Sequence, residues 1–154
     1  GPVQLTFARS IDPVFPMEVS ITRLAITNVK DKGDTNTMGR KALLPYGLYR
    51  AHGYVNPLLG AQTGMSAEDL ELFWRALLEG WELDRSASRG AMACRGLYIF
   101  SHESGFGRAP AHQLQERVRV KKDERVAAPR SFGDYHVTVD DGVLPDGVTL
   151  SMLG

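Results

Sequence analysis

"TMGRKALLPYGLYRAHGYV", residues 37–55, places Gly39-Arg40-Lys41 just ahead of three tyrosines, an arginine and a histidine. A buried core does not take two adjacent cations. A catalytic pocket would bring a carboxylate or a nucleophile with them. Two readings stay open: a surface that holds a nucleic-acid strand, and an ordinary solvated hairpin. Residues 43–55 read as a strand kinked at Pro45. Tyr46, Leu48, Arg50, His52 and Tyr54 then point one way, and Gly47, Tyr49, Ala51, Gly53 and Val55 the other. The second set is compact and suits a core, while the first is aromatic and basic. Arg40 and Lys41 are expected on a flexible turn where the chain returns from a polar segment, residues 28–38.

Upstream, residues 17–27 alternate as a strand but change phase. Met17, Val19 and Ile21 share one face, and Leu24 and Ile26 share the other. A one-residue slip of this kind marks a bulge or a strand leaving its sheet near Arg23. The segment that follows, with Gly33, Asn36 and mixed charges, reads as a long loop or the tip of a projecting hairpin. Downstream, Ser66 and Asp69 stand at capping-box spacing. Leu70, Phe73, Trp74, Leu77, Leu78 and Trp81 then recur at helical spacing, which predicts an amphipathic helix to about Leu83 with this stripe in the core. Shorter strands are expected over residues 4–8, 95–101, 117–120 and 135–139, with a turn at Leu144-Pro145-Asp146-Gly147. The fold class is α+β. Residues 17–100 follow a strand, strand, helix, strand order, as in the second half of a ferredoxin-like, RNA-recognition-type fold.

The chain has 154 residues, the size of one domain. Nothing approaches 18 consecutive apolar residues, so no transmembrane helix is expected. The single cysteine, Cys94, excludes an internal disulfide framework and suits a reducing cytoplasm. Net charge is zero but unevenly spread. Residues 23–50 carry six basic side chains against two acidic, and residues 117–130 again six against two; residues 66–85 reverse this, with six carboxylates against two arginines. Such segregation allows basic surfaces on a neutral molecule.

The usual catalytic patterns are absent. The four histidines, His52, His102, His112 and His136, form no local metal motif. His52 and His102 would make an acid–base or metal pair only by meeting across adjacent strands. No phosphate loop, GxSxG or dinucleotide fingerprint occurs. The basic and aromatic residues fit single-stranded nucleic acid better, through phosphate attraction and base stacking.

Three segments together carry a resemblance: "FARSIDPVFPMEVSITRLAITN" (residues 7–28), "TMGRKALLPYGLYRAHGYVNPLL" (residues 37–59) and "DRSASRGAMACRGLYIFSHES" (residues 84–104). With the closing "YHVTVDDGVLPDGVTL", the chain resembles the backbone subunit of type I-C CRISPR interference complexes, in the Cas seven superfamily. The resemblance implies a non-catalytic, cofactor-free scaffold that polymerises along a guide RNA in the complex called Cascade. It implies an RNA-recognition-type palm and a projecting hairpin thumb that kinks the guide and displays its bases to target DNA. By position, residues 28–40 correspond to that thumb. Arg40 and Lys41 would grip guide phosphates and Met38 would wedge against a base, with Arg23, Asn28, Arg50 and His52 as further RNA contacts. The implied partners are guide RNA, target DNA through the guide, copies of the chain itself and other Cascade subunits, in the cytoplasm and away from membranes.

Family members carry a first palm strand and helix ahead of the matching segments. The chain is therefore expected to be the carboxy-terminal part of a longer protein, forming one domain over residues 1–154. Two other readings remain open. A metal-dependent ribonuclease of an RNA-guided system would need a carboxylate or histidine cluster. A protein-only interaction module would use its basic faces on protein alone.

Overall fold

Strands dominate the structure, and they pair two at a time. The computed structural model describes residues 1–23, 37–86 and 89–154. In chain order the elements are β1 (Val3–Leu5), β2 (Arg9–Ser10), β3 (Met17–Arg23), β4 (Thr37–Leu43), β5 (Tyr49–Arg50), β6 (Gly53–Val55), α1 (Pro57–Thr63), α2 (Ala67–Leu83), β7 (Leu97–His102), α3 (Ala111–Gln115), β8 (Val118–Lys122), β9 (Tyr135–Val139) and β10 (Val148–Leu153). All pairings are antiparallel: β1 with β6, β2 with β5, β3 with β4, β7 with β10, and β8 with β9. The class is α+β, as the sequence predicts. Among the described residues, no helix is long and apolar enough to cross a membrane.

Prolines and glycines punctuate this order. Pro13 and Pro16 separate β2 from β3, and Pro45 follows β4, because proline has no N–H for a ladder. The strand predicted over residues 43–55 is accordingly broken into β5 and β6. Asn56 and Pro57 open α1: the Asn56 side chain accepts from the Leu58 and Leu59 amides, and Gly64, with φ 73°, closes the helix in the left-handed region.

The α2 capping box forms as expected. The Ser66 hydroxyl accepts from the Asp69 amide at 3.1 Å, and the Asp69 carboxylate accepts from the Ser66 amide at 2.9 Å. Ser66→Ala is expected to lower stability by about 1 kcal/mol, read as a drop in the denaturation midpoint. The apolar stripe of α2 departs from expectation. Phe73, Trp74, Leu77 and Leu78 are only half-buried, Trp81 is exposed, and α2 buries no residue fully.

The buried apolar residues are elsewhere. Leu114 in α3, Val118 in β8, Tyr135 in β9 and Val148 in β10 are buried, all in the carboxy-terminal part of the chain. The amino-terminal ribbons are tied to this centre by specific bonds. The Tyr135 hydroxyl donates to Asp12, and its ring lies 6.3 Å from that of Tyr46. Arg50 donates to the Val118 carbonyl at 2.7 Å, and Gln115 donates to the Tyr54 hydroxyl at 3.1 Å. The accessible surface is 11770 Å² for 17.0 kDa. A compact monomer of this mass exposes roughly 7,700 Å². The chain is therefore unusually open, and its exposed apolar residues include Phe7, Phe15, Leu83, Phe106 and Val143.

Candidate nucleic-acid interface

The β3–β4 ribbon pairs with no other strand among the described residues. Its register sets Met17 opposite Leu43, Val19 opposite Lys41 and Ile21 opposite Gly39. Between these, Glu18 faces Ala42, Ser20 faces Arg40 and Thr22 faces Met38. Directly opposed residues share a face of an antiparallel pair, and neighbours along a strand alternate. One face thus carries Met17, Val19, Ile21, Lys41 and Leu43. The other carries Glu18, Ser20, Thr22, Met38 and Arg40.

Two sequence expectations change here. Arg40 and Lys41 lie inside a paired strand and not on a turn, because the ladder begins at Thr37 and runs through Gly39. They also point to opposite faces, since adjacent strand residues must. A single patch gripped by both is excluded, and each cation serves its own side.

Both faces meet solvent. Met17, Val19 and Ile21 are exposed on one, and Met38, at 74 %, on the other. The Arg40 side chain is 83 % exposed, with Glu18 at 3.8 Å diagonally across the ladder. An exposed pair at that distance contributes little, and a phosphate competes with it readily. Among the described residues Lys41 has no ion pair. A two-stranded ribbon largely exposed on both sides, with only Lys41 and Leu43 half-buried, is marginal alone.

The other candidates fare differently. Arg23 ends β3 opposite Thr37. Its side chain lies outside the described residues, as do Asn28, the phase change at Leu24 and most of the polar segment 28–38. Arg50 and His52 do not project. Tyr46, Leu48, Arg50 and His52 form the half-buried side of the chain, and Tyr49 and Ala51 the exposed one. Residues 48–52 thus reverse the predicted faces, whereas Gly47 and Val55 are half-buried and Tyr54 is exposed, as the sequence predicts. Arg50 lies on the inner side because the Val118 carbonyl takes its guanidinium. The pKa of His52 is lowered by burial and then by Arg50, which disfavours the charged imidazolium in the free chain.

His52 lies between β5 and β6, neither of which pairs with the His102 strand β7, and His102 accepts from the Arg108 amide through Nδ1. Among the described residues, no group of three or more His, Cys, Asp or Glu side chains is placed to hold a metal ion.

No curated protein matches the chain. The family model of the CRISPR-associated protein Cas7 matches residues 1–140 of the 154, spanning the β3–β4 ribbon, the three long-range hydrogen bonds to the centre and the whole of β8 and β9. The chain belongs to the CRISPR-associated Cas7 family.

Proposed function

We propose that the chain is an RNA-binding backbone subunit of a type I-C interference complex, without catalytic activity, and that β3–β4 is the part that crosses the guide. The observation that carries this reading is the lone ribbon with one exposed cation on one face and a second cation on the other. A polynucleotide passing over the Met38–Arg40 face meets a flexible apolar side chain and, two residues on, a guanidinium. Met38 suits an unstacked base, and Arg40 suits the adjoining phosphate. Lys41 neutralises phosphate on the reverse face. A ribbon inserted in this way separates neighbouring bases, kinks the guide and leaves the bases between ribbons free for target DNA.

Copies of the chain and other subunits of the complex are the proposed protein partners, and the 154 residues act as one domain forming the carboxy-terminal part of a longer protein. Arg23 and Asn28 remain proposed contacts by position. Arg50 is reassigned to tying β5 to the Val118 carbonyl, and His52 also remains a proposed contact by position.

The test is RNA affinity measured against salt for Arg40→Ala combined with Lys41→Ala. Affinity should fall about 10-fold, equally for unrelated RNA sequences, and the log–log salt slope should become shallower by about 1 for each phosphate no longer neutralised. Labelled RNA should stay intact with Mg²⁺ and with EDTA alike. Unchanged affinity and slope would remove the ribbon from the interface, and Mg²⁺-dependent cleavage would replace the scaffold reading with a ribonuclease.

A further inference from the structure

A second basic surface lies on the β8–β9 ribbon, far along the chain from β3–β4. Its register sets Arg119 opposite Thr138 and Lys121 opposite His136. These four residues are exposed and share the outer face. The inner face carries Val118, Val120, Val137, Val139 and Tyr135, all buried or half-buried, so the ribbon is anchored on one side and offers the other.

The charges on this ribbon divide into engaged and free. Lys122 turns inward and donates to the Val126 carbonyl at 2.8 Å. Arg117 donates to the carbonyls of Asp140 and Val143 and sits 3.5 Å from the Asp140 carboxylate. At the other end Arg125 holds Asp123 through both carboxylate oxygens, at 3.1 and 2.7 Å, and this fork with the Arg125 amide keeps the Asp123 pKa well below the usual range. His136 Nε2 lies 3.5 Å from the same carboxylate. Both acids bordering the row are thus matched by their own arginines. Arg119 uses only Nε, on the Glu116 carbonyl at 3.3 Å, and Lys121 has no hydrogen-bond or ion-pair partner among the described residues. Of the other acids nearby, Glu116 and Glu124 sit in turns at the two ends, and the Asp134 carboxylate accepts from the Arg130 and Ser131 amides.

We infer that the Arg119–Lys121 row is a second nucleic-acid contact that holds a phosphodiester backbone independently of β3–β4. The RNA-binding reading proposed above, on which this inference rests, favours a nucleic acid over an acidic protein surface. Cations two residues apart on a strand stand about 6.7 Å apart, within reach of neighbouring phosphates on one nucleic-acid strand. Arg119 offers its two terminal nitrogens to one phosphate, Lys121 offers its ammonium to the next, and the Thr138 hydroxyl lies beside Arg119 as a neutral donor. Base edges are not read by such a row, so the contact is independent of sequence.

The experiment uses the whole chain with three labelled probes of about 30 nucleotides: single-stranded RNA, single-stranded DNA and duplex DNA. Arg119→Gln with Lys121→Gln should weaken binding to at least one probe about 10-fold and reduce its log–log salt slope by about 1.5 for a single strand or about 2 for a duplex. The probe affected most identifies the strand. Thr138→Glu, which reaches the row from the opposite strand, should weaken the same probe, whereas Arg119→Lys with Lys121→Arg should retain binding. The loss should recur in the Arg40→Ala, Lys41→Ala background, which separates it from the ribbon proposed above. The proposal is overturned if affinity and slope hold for all three probes in both charge-altering variants, or if the unaltered chain binds none of them. It is also overturned if polyglutamate binding falls while nucleic-acid binding stays.

Discussion

Tyr135→Ala is expected to cost about 3–5 kcal/mol of folding stability, the usual loss for a large buried aromatic side chain. Tyr135 is 6 % exposed, and it centres a cluster with Tyr46 and Asp12. Its ring meets Tyr46 and its hydroxyl bonds Asp12, so one side chain joins the β8–β9 ribbon to two amino-terminal segments. Domains hold only about 5–15 kcal/mol in total, so this loss would leave much of the population unfolded. Denaturant titration of the variant and of Tyr135→Phe separates the parts. The phenylalanine keeps the ring and should lose only about 1 kcal/mol with the hydroxyl bond. A cost below about 1 kcal/mol for Tyr135→Ala would show that the cluster is not the centre of stability.

The same residue gives a signed pH effect. Burial, and then the bond to Asp12, raise the Tyr135 pKa above its ordinary value near 10. The neutral phenol is favoured in the folded state, so its contribution is full below about pH 10 and is lost as pH rises through the raised value. Tyr135→Phe should remove that alkaline dependence.

Arg50→Ala should cost about 1.5–3 kcal/mol, because a charged donor is withdrawn from the part-buried Val118 carbonyl and that acceptor loses its partner. RNA affinity per folded molecule should stay the same. Chemical denaturation and filter binding on one preparation check both halves. If stability holds and affinity falls, Arg50 is a nucleic-acid contact, as its place among aromatic and basic neighbours in the sequence suggests.

That reversal shows where the sequence is legible. Period and local chemistry carry the elements whose causes lie within a few residues. Ser66 and Asp69 place the start of α2, and the strand expected over residues 135–139 forms as Tyr135–Val139. The turn before Val148 also forms, with Gly147 at φ 72°. Two further elements have local signals of the same type but are absent from the sequence expectations. Asn56-Pro57 and Gly64 bracket α1, and in β10 Val148, Leu150 and Met152 alternate with Thr149, Ser151 and Leu153. What stays hidden depends on distant partners. Hydropathy sends Arg50 and His52 outward, but the group that turns Arg50 inward is a carbonyl 68 residues away. The α2 stripe has the spacing of a core face, yet spacing does not state whether a partner covers it. Arg40 and Lys41 read as one grip because they adjoin in sequence. Only the pairing of Ile21 with Gly39 shows that they are back to back.

The openness of the chain has a thermodynamic consequence. The heat-capacity increment of unfolding follows the apolar area newly wetted when the native state is lost. A protein that already wets Phe7, Phe15, Leu83, Phe106 and Val143 has less left to wet than a closed domain of equal mass. Its stability curve against temperature is correspondingly flat, and whatever covers those side chains supplies the missing curvature.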